Sequence, residues 1–197
     1  MSPTMRLFVG IDIPDEIRAR IAAYMLKLER LAPGTKWVRP ESLHVTLKFI
    51  GNSDQVELIR AALAGVPAKQ FSISFRGTGF FTPRSPRVFW AGVQAPSELQ
   101  ALAKRVENAL VPLGIAKEER DYSPHLTLAR EGSGSASGSR SDRNQPKMYT
   151  LKTKVEPDPA WSQVDFGTML ATEFFLYQSE TKPEGAKYTK LARFALA

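Results

Sequence analysis

His44 and His125 are the two histidines of the chain, and each opens the same short pattern. The first stands in His-Val-Thr-Leu from position 44, the second in His-Leu-Thr-Leu from position 125. The first run, HVTLKFI over 44–50, is apolar and rich in β-branched residues, and the second follows Pro124, so both are expected to be strands. Residues i and i+2 of a strand share a face. His44 is therefore expected beside Thr46, and His125 beside Thr127, while Val45, Leu47, Leu126 and Leu128 turn into a core. Imidazole is the side chain whose unperturbed pKa lies nearest neutrality. One neutral ring can take a proton from water, and one protonated ring can give a proton to a leaving oxygen. Such transfers contribute about 10²–10⁴-fold in rate. Threonine hydroxyls can donate hydrogen bonds to non-bridging phosphoryl oxygens, where charge builds in the transition state. Two strands side by side, each with one His and one Thr, suit phosphoester hydrolysis. One His-x-Thr alone would read as an ordinary strand residue. The repeat, which uses every histidine, points to chemistry.

Other chemistries find less support. Zinc sites use three or four protein ligands, and two histidines without a nearby carboxylate motif fall short. Asp54 and Asp121 match no ligand spacing. The chain has no cysteine, which excludes disulfides and thiolate chemistry. Gly92 and Gly114 belong to no phosphate-cradling loop, so no metal, nucleotide or other cofactor is expected.

The elements that must position the histidines follow from periodicity. Leu7, Val9, Ile11 and Ile13 alternate, predicting a strand over 6–13, ended by Pro14. Ile17, Ile21, Tyr24, Leu28 and Leu31 recur at helical spacing, and Pro33 with Gly34 stops that helix. A short strand is expected at 36–38 and a stronger one at 44–50. Ser53 or Asp54 is placed to cap a helix over 55–64. Strands follow at 71–79 and 87–93. Ser97, Leu99, Leu102, Val106 and Leu110 predict an amphipathic helix reaching about 113. A strand is expected at 125–129, and two more at 173–177 and 188–196. The span 148–161 has no decisive period. Strands and helices in this order indicate an α+β fold. A helix, a turn and a strand opening with His occur twice, which suggests two related halves. The stretch 132–143, GSGSASGSRSDR, reads as a flexible surface loop.

The chain of 197 residues is 43% hydrophobic and 24% charged, which suits one compact domain or two lobes sharing a core. Its net charge of +7 favours polyanionic partners. No apolar run approaches the roughly 20 residues a transmembrane helix needs. The first residues lack a signal-peptide core, so a cytoplasmic protein is expected.

These residues resemble the paired H-x-T-x motifs of the 2H phosphoesterase superfamily. They are most similar to its RNA 2',3'-cyclic phosphodiesterase branch, also called the 2'-5' RNA ligase family. RLFVGIDIP at 6–14, WVRPESLHVTLKFIG at 37–51, YSPHLTLAR at 122–130, FFLYQS at 174–179 and YTKLARFAL at 188–196 carry the resemblance. It implies one bilobal α+β domain over 1–197, with two pseudo-symmetric antiparallel lobes and outer helices around a central groove. It implies that water opens a terminal 2',3'-cyclic phosphate on RNA, tRNA fragments among the candidate substrates, leaving a 2'-phosphate. Reverse joining through a 2'-5' bond uses the same groups. His44 would be proton donor to the 3'-oxygen and His125 proton acceptor. Thr46, Thr127 and Arg130 would hold the phosphate. No cofactor is implied, and nothing demands more than a monomer. Strict alternation would aim Arg130 at the face opposite His125, so the strand must bend or end near Ala129. The Gly/Ser-rich stretch at 132–143 departs from the family pattern.

Further groups stand near the motifs. Arg6, Lys36, Arg39 and Lys48 are candidates for phosphate contact, with Lys48 on the His44 face if that strand is regular. Trp37, Phe80, Phe81 and Trp90 are candidates for base stacking. Two other functions stay open: a phosphodiesterase for a small cyclic nucleotide or 2'-5' oligonucleotide, and a non-catalytic RNA-binding module. Binding alone needs charge and stacking rather than paired imidazoles.

Overall fold

The computed structural model describes residues 3–82, 84–94, 97–131, 147–182 and 185–197. The Gly/Ser-rich stretch 132–143 lies outside the described residues.

Strand β1 (Met5–Asp12) runs up to Ile13 and Pro14. Pro14, at φ −68°, leads directly into helix α1 (Asp15–Leu31). Asp15 and Glu16 in the first turn suit the positive end of the helix dipole. The buried stripe is Ile17, Ile21, Tyr24, Met25 and Leu28. Leu31, expected in it, is the last helical residue and is 39% exposed. Next come β2 (Lys36–Trp37), a 3-10 turn at Pro40–Ser42, and β3 (His44–Ser53). Helix α2 (Val56–Ala64) has Gln55 at its cap position with no side-chain bond. Neither Ser53 nor Asp54 caps it. The Ser53 hydroxyl instead accepts the Gln55 N–H at 3.1 Å, one residue too early. Strands β4 (Phe71–Phe81) and β5 (Val88–Gln94) precede α3 (Ser97–Leu110). A 3-10 turn, Val111–Leu113, closes α3, and Gly114 at φ +79° takes the left-handed conformation that ends it. Then follow β6 (His125–Arg130), α4 (Lys147–Val155), α5 (Pro159–Ser162), β7 (Asp165–Ala171), β8 (Glu173–Lys182) and β9 (Gly185–Ala195).

Every strand pairing among the described residues is antiparallel. One sheet has the order β3-β1-β8-β9, the other β2-β6-β5-β4-β7. The chain leaves the first sheet after β1, adds β2 to the edge of the second, and returns as β3. One apolar cluster runs through both sheets and the helices. It includes Ile11, Val45, Phe75, Phe89 and Leu126 from strands, and Leu28, Leu63, Val106 and Leu151 from helices. Fully burying a side chain of this size contributes about 1.5–3 kcal/mol. This is the two-lobed α+β arrangement expected. The opposite faces of the sheets, away from the helices, carry both histidines. No helix among the described residues is long and apolar enough to cross a membrane.

Candidate active site

Each histidine is the first residue of its strand, and each is held by the carbonyl two residues before it. His44 Nδ1 lies 2.8 Å from the Ser42 carbonyl oxygen. His125 Nδ1 lies 2.9 Å from that of Ser123. A carbonyl only accepts, so Nδ1 carries the hydrogen in both rings. The neutral lone pair is thereby fixed on Nε2. Neither Nε2 has a hydrogen-bond partner among the described residues. The repeat is thus Ser-x-His-x-Thr, and the leading serines were visible in the sequence at 42 and 123.

The next residues repeat as closely. Along 44–49 and 125–130 the burial runs half-buried, buried, half-buried, buried, buried, exposed in both strands. Two β-bulges produce this. In β3, Thr46 pairs with Gly10 and Lys48 with Val9, leaving Leu47 as the extra residue. In β6, Thr127 pairs with Trp90 and Ala129 with Phe89, leaving Leu128 extra. An extra residue resets the alternation. Arg130 therefore turns onto the face of His125 and Thr127, and its Nη2 lies 3.4 Å from the Thr127 hydroxyl. This is the bend that strict alternation required. In β3 the same reset puts Phe49 on the His44 face.

Lys48 accordingly does not share the face of His44 and Thr46. It is 6% exposed, beside core residue Val9. Its Nζ donates to Glu107 Oε1 at 2.8 Å and to the Ala116 carbonyl at 2.7 Å. Glu107 also accepts the Glu118 N–H at 2.6 Å, and the bond from Lys48 holds its carboxyl below the ordinary range. Lys48 thus ties β3 to the segment leading into the second motif. A second tie is the Tyr122 hydroxyl, which donates to the Thr46 carbonyl at 2.9 Å. Lys48→Met should lose about 1.5–3 kcal/mol, the worth of a hydrogen bond to a charged group. Urea unfolding measures this, and an unchanged midpoint would contradict the tie.

The two motifs face each other. Strands β3 and β6 touch although they belong to different sheets. Arg130, from the second sheet, weighs against a proton on both imidazoles. Burial is the larger cause: it takes His44 down to about 4 and lowers His125, against the Ser42 and Ser123 carbonyls that favour the charged rings. His125 itself adds to the lowering at His44, and Asp12 opposes it. His44 sits among Phe8 at 4.6 Å, Tyr188 at 5.0 Å and Tyr177 at 6.1 Å between ring centroids. Gly10 makes room, since a Cβ there would come within 3.4 Å of the His44 ring and 3.0 Å of the Val45 carbonyl. His125 meets Phe81 edge-on at 4.7 Å.

Asp12 is the cross-strand partner of His44. It accepts from Arg18 Nη2 at 2.6 Å and from Lys190 Nζ at 2.5 Å. Burial pushes its carboxyl up, but these bonds outweigh that and leave it lowered. Arg18 also donates to the Pro40 carbonyl, in the turn whose Ser42 holds His44. Sequence reasoning missed Asp12 and Arg18, paired six residues apart across the turn into α1, and Tyr122, Tyr177, Tyr188 and Lys190, whose partners lie far along the chain.

The other candidates divide. Trp37 packs on core residue Phe89 at 6.1 Å, and Phe80 is 7% exposed against the same ring, so neither is placed to meet a base. Phe81 and Trp90, 5.7 Å apart, lie on the His125 face. Arg6 is exposed at the far end of β1, opposite Asn52. Arg39 is 3.9 Å from Glu41. Lys36 is the cross-strand partner of Arg130. No three His, Asp or Glu residues among the described ones are grouped as a metal would need.

Known proteins share this fold. Residues 13–154 match the model of the 2'-5' RNA ligase superfamily. An RNA 2',3'-cyclic phosphodiesterase from Archaeoglobus fulgidus is 36% identical over 193 residues, 96% of this chain and 99% of the relative. A crystal structure of E. coli LigT with 3'-AMP superposes with a TM-score of 0.75 and 27% identity, covering 99% of both chains. A crystal structure from Thermus thermophilus gives a TM-score of 0.74 at 30% identity, covering 98% of both. With the family model matched across both histidine motifs and a curated relative aligned nearly end to end, the chain belongs to the 2'-5' RNA ligase superfamily, a branch of the two-histidine phosphoesterases.

Proposed function

We propose that the chain hydrolyses the 2',3'-cyclic phosphate at RNA 3' ends to a 2'-phosphate and a free 3'-hydroxyl. The observation that carries this is a pair of imidazoles with Nδ1 tied to a carbonyl and Nε2 without a hydrogen-bond partner among the described residues, on two touching strands. Water attacks phosphorus, and His125 Nε2 takes its proton. The bond from phosphorus to the 3'-oxygen breaks, and His44 Nε2 delivers the proton that oxygen needs. Thr46, Thr127 and Arg130 hold the non-bridging oxygens as their charge grows. These groups cover proton transfer and charge without a metal or a nucleotide. A 5'-hydroxyl in place of water would give a 2'-5' bond by the same route. The relative from Archaeoglobus fulgidus bears the name of this activity, which supports the choice of substrate. We take residues 1–197 as one catalytic unit, cytoplasmic and monomeric, acting on fragments such as those of tRNA.

Hydrolysis of a short RNA ending in a 2',3'-cyclic phosphate, in EDTA, tests this. The expected product carries phosphate on the 2'-oxygen only. Binding without turnover would favour an RNA-binding module. Faster turnover of cyclic mononucleotides or 2'-5' oligomers would reassign the substrate.

A further inference from the structure

We infer that Lys36 forms a subsite for the phosphodiester next to the reacting one, on the 5' side of the terminal nucleotide. This rests on the function proposed above. Lys36 and Arg130 face each other across the β2–β6 ladder. Residues directly opposite in an antiparallel pair share a face. Arg130 is on the His125 face by its bond to Thr127. Trp37 and Ala129, the neighbouring pair, are on the core face, where Trp37 meets Phe89. Lys36 therefore points to the groove side, one strand beyond Arg130. Adjacent strands lie about 4.8 Å apart, and a flexible lysine stem extends the reach further.

The charge pattern is consistent with this placement. Several basic residues near the motifs are engaged elsewhere: Lys48 with Glu107, and Arg18 and Lys190 with Asp12. Lys36 and Arg130 are both exposed, and neither has an ion-pair partner among the described residues. Like charges directly opposite on a ladder are destabilising. A polyanion relieves that repulsion. Arg130, beside Thr127, is placed for the reacting phosphoryl group. Lys36 is left for the next anion along the strand. Its ammonium is a point charge without fork geometry, suited to a backbone phosphate and indifferent to base. β2 is the edge of its sheet, so the strand leaves the groove on that side.

Two substrates separate this subsite from the reacting centre. A 2',3'-cyclic mononucleotide has no neighbouring phosphodiester. A dinucleotide ending in a cyclic phosphate has one. Lys36→Ala should raise KM for the dinucleotide by about three- to tenfold, leave kcat alone, and leave the mononucleotide unchanged. The slope of log kcat/KM against log salt should shrink by about 0.7 for the dinucleotide only. Lys36→Arg should restore both. Equal effects on the two substrates, or none on either, would overturn the subsite. Binding of the corresponding 2'-phosphate dinucleotide and mononucleotide to wild type and Lys36→Ala gives the same comparison without turnover. A dinucleotide-specific loss of binding in a protein that hydrolyses neither substrate would retain the subsite and remove the catalytic reading.

Discussion

His125→Ala and His44→Ala should each lower turnover of a cyclic-phosphate RNA by about 10²–10⁴-fold, the usual worth of one positioned acid or base. The double variant should be little worse than either single one, because the two rings act on one proton circuit. Stability should change modestly. The hydrogen bond lost in His125→Ala, to the Ser123 carbonyl, is worth about 1 kcal/mol. His44→Ala should cost more, since three aromatic rings pack around that imidazole. Residual activity distinguishes the roles. A base must be deprotonated, so loss of His125 should flatten the low-pH limb of the rate profile. An acid must be protonated, so loss of His44 should flatten the high-pH limb. The wild-type limbs belong to the coupled pair. Either alanine variant turning over within tenfold of wild type, with its circular dichroism unchanged, would defeat the assignment.

Stability should fall as the pH drops from about 6.5 toward 4. Unfolded His44 titrates at its ordinary value of 6.5, and folding brings it down to about 4. Between those values the unfolded chain holds a proton that the native chain has shed. Stability is therefore full above the unfolded value and lost as the pH approaches the native one. The shift corresponds to about 3 kcal/mol, and His125 works in the same direction. The lowered carboxyls Asp12, Glu107 and Asp165 add to the loss from their unfolded values of 3.8, 4.5 and 3.8 downward, at the acid end of this window. Urea midpoints at pH 7 and pH 5 measure the effect, and His44→Gln should shrink it. A midpoint that rose on acidification would contradict the burial argument. The same shift bears on mechanism. Burial disfavours a proton on either ring in the free protein, and a bound phosphate anion favours one on the donor. The high-pH limb of kcat, which reports the complex, should then lie above that of kcat/KM, which reports the free protein.

Much of the site was legible in one chain because strand periodicity is local. His-x-Thr within an apolar run places both groups on one face, and the structure has them so. Arg130 and Lys48 were harder for the same reason. Their faces depend on an extra residue at Leu47 and Leu128, and a bulge leaves no mark in hydrophobic alternation. Strand β7 was not expected because Gly167, at φ +111°, and the exposed Leu170 break the period. Helix α4 was readable in principle. Met148, Leu151 and Val155 are buried at helical spacing, but the threonines and tyrosine among them blur the signal. The shell around His44 was not legible. Tyr177, Tyr188 and Lys190 reach it only through the pairing of β8 with β1 and β9.

The matched bulges leave positions 49 and 130 exposed at the groove, one in each lobe. An aromatic ring occupies one and a guanidinium the other, and neither residue belongs to the packed interior. The occupant of position 49 can change while the imidazoles keep their carbonyl anchors and Arg130 its place beside Thr127. Such a scaffold can acquire a new clientele by exchanging the outward-facing ring at position 49, with its proton-handling parts carried over intact.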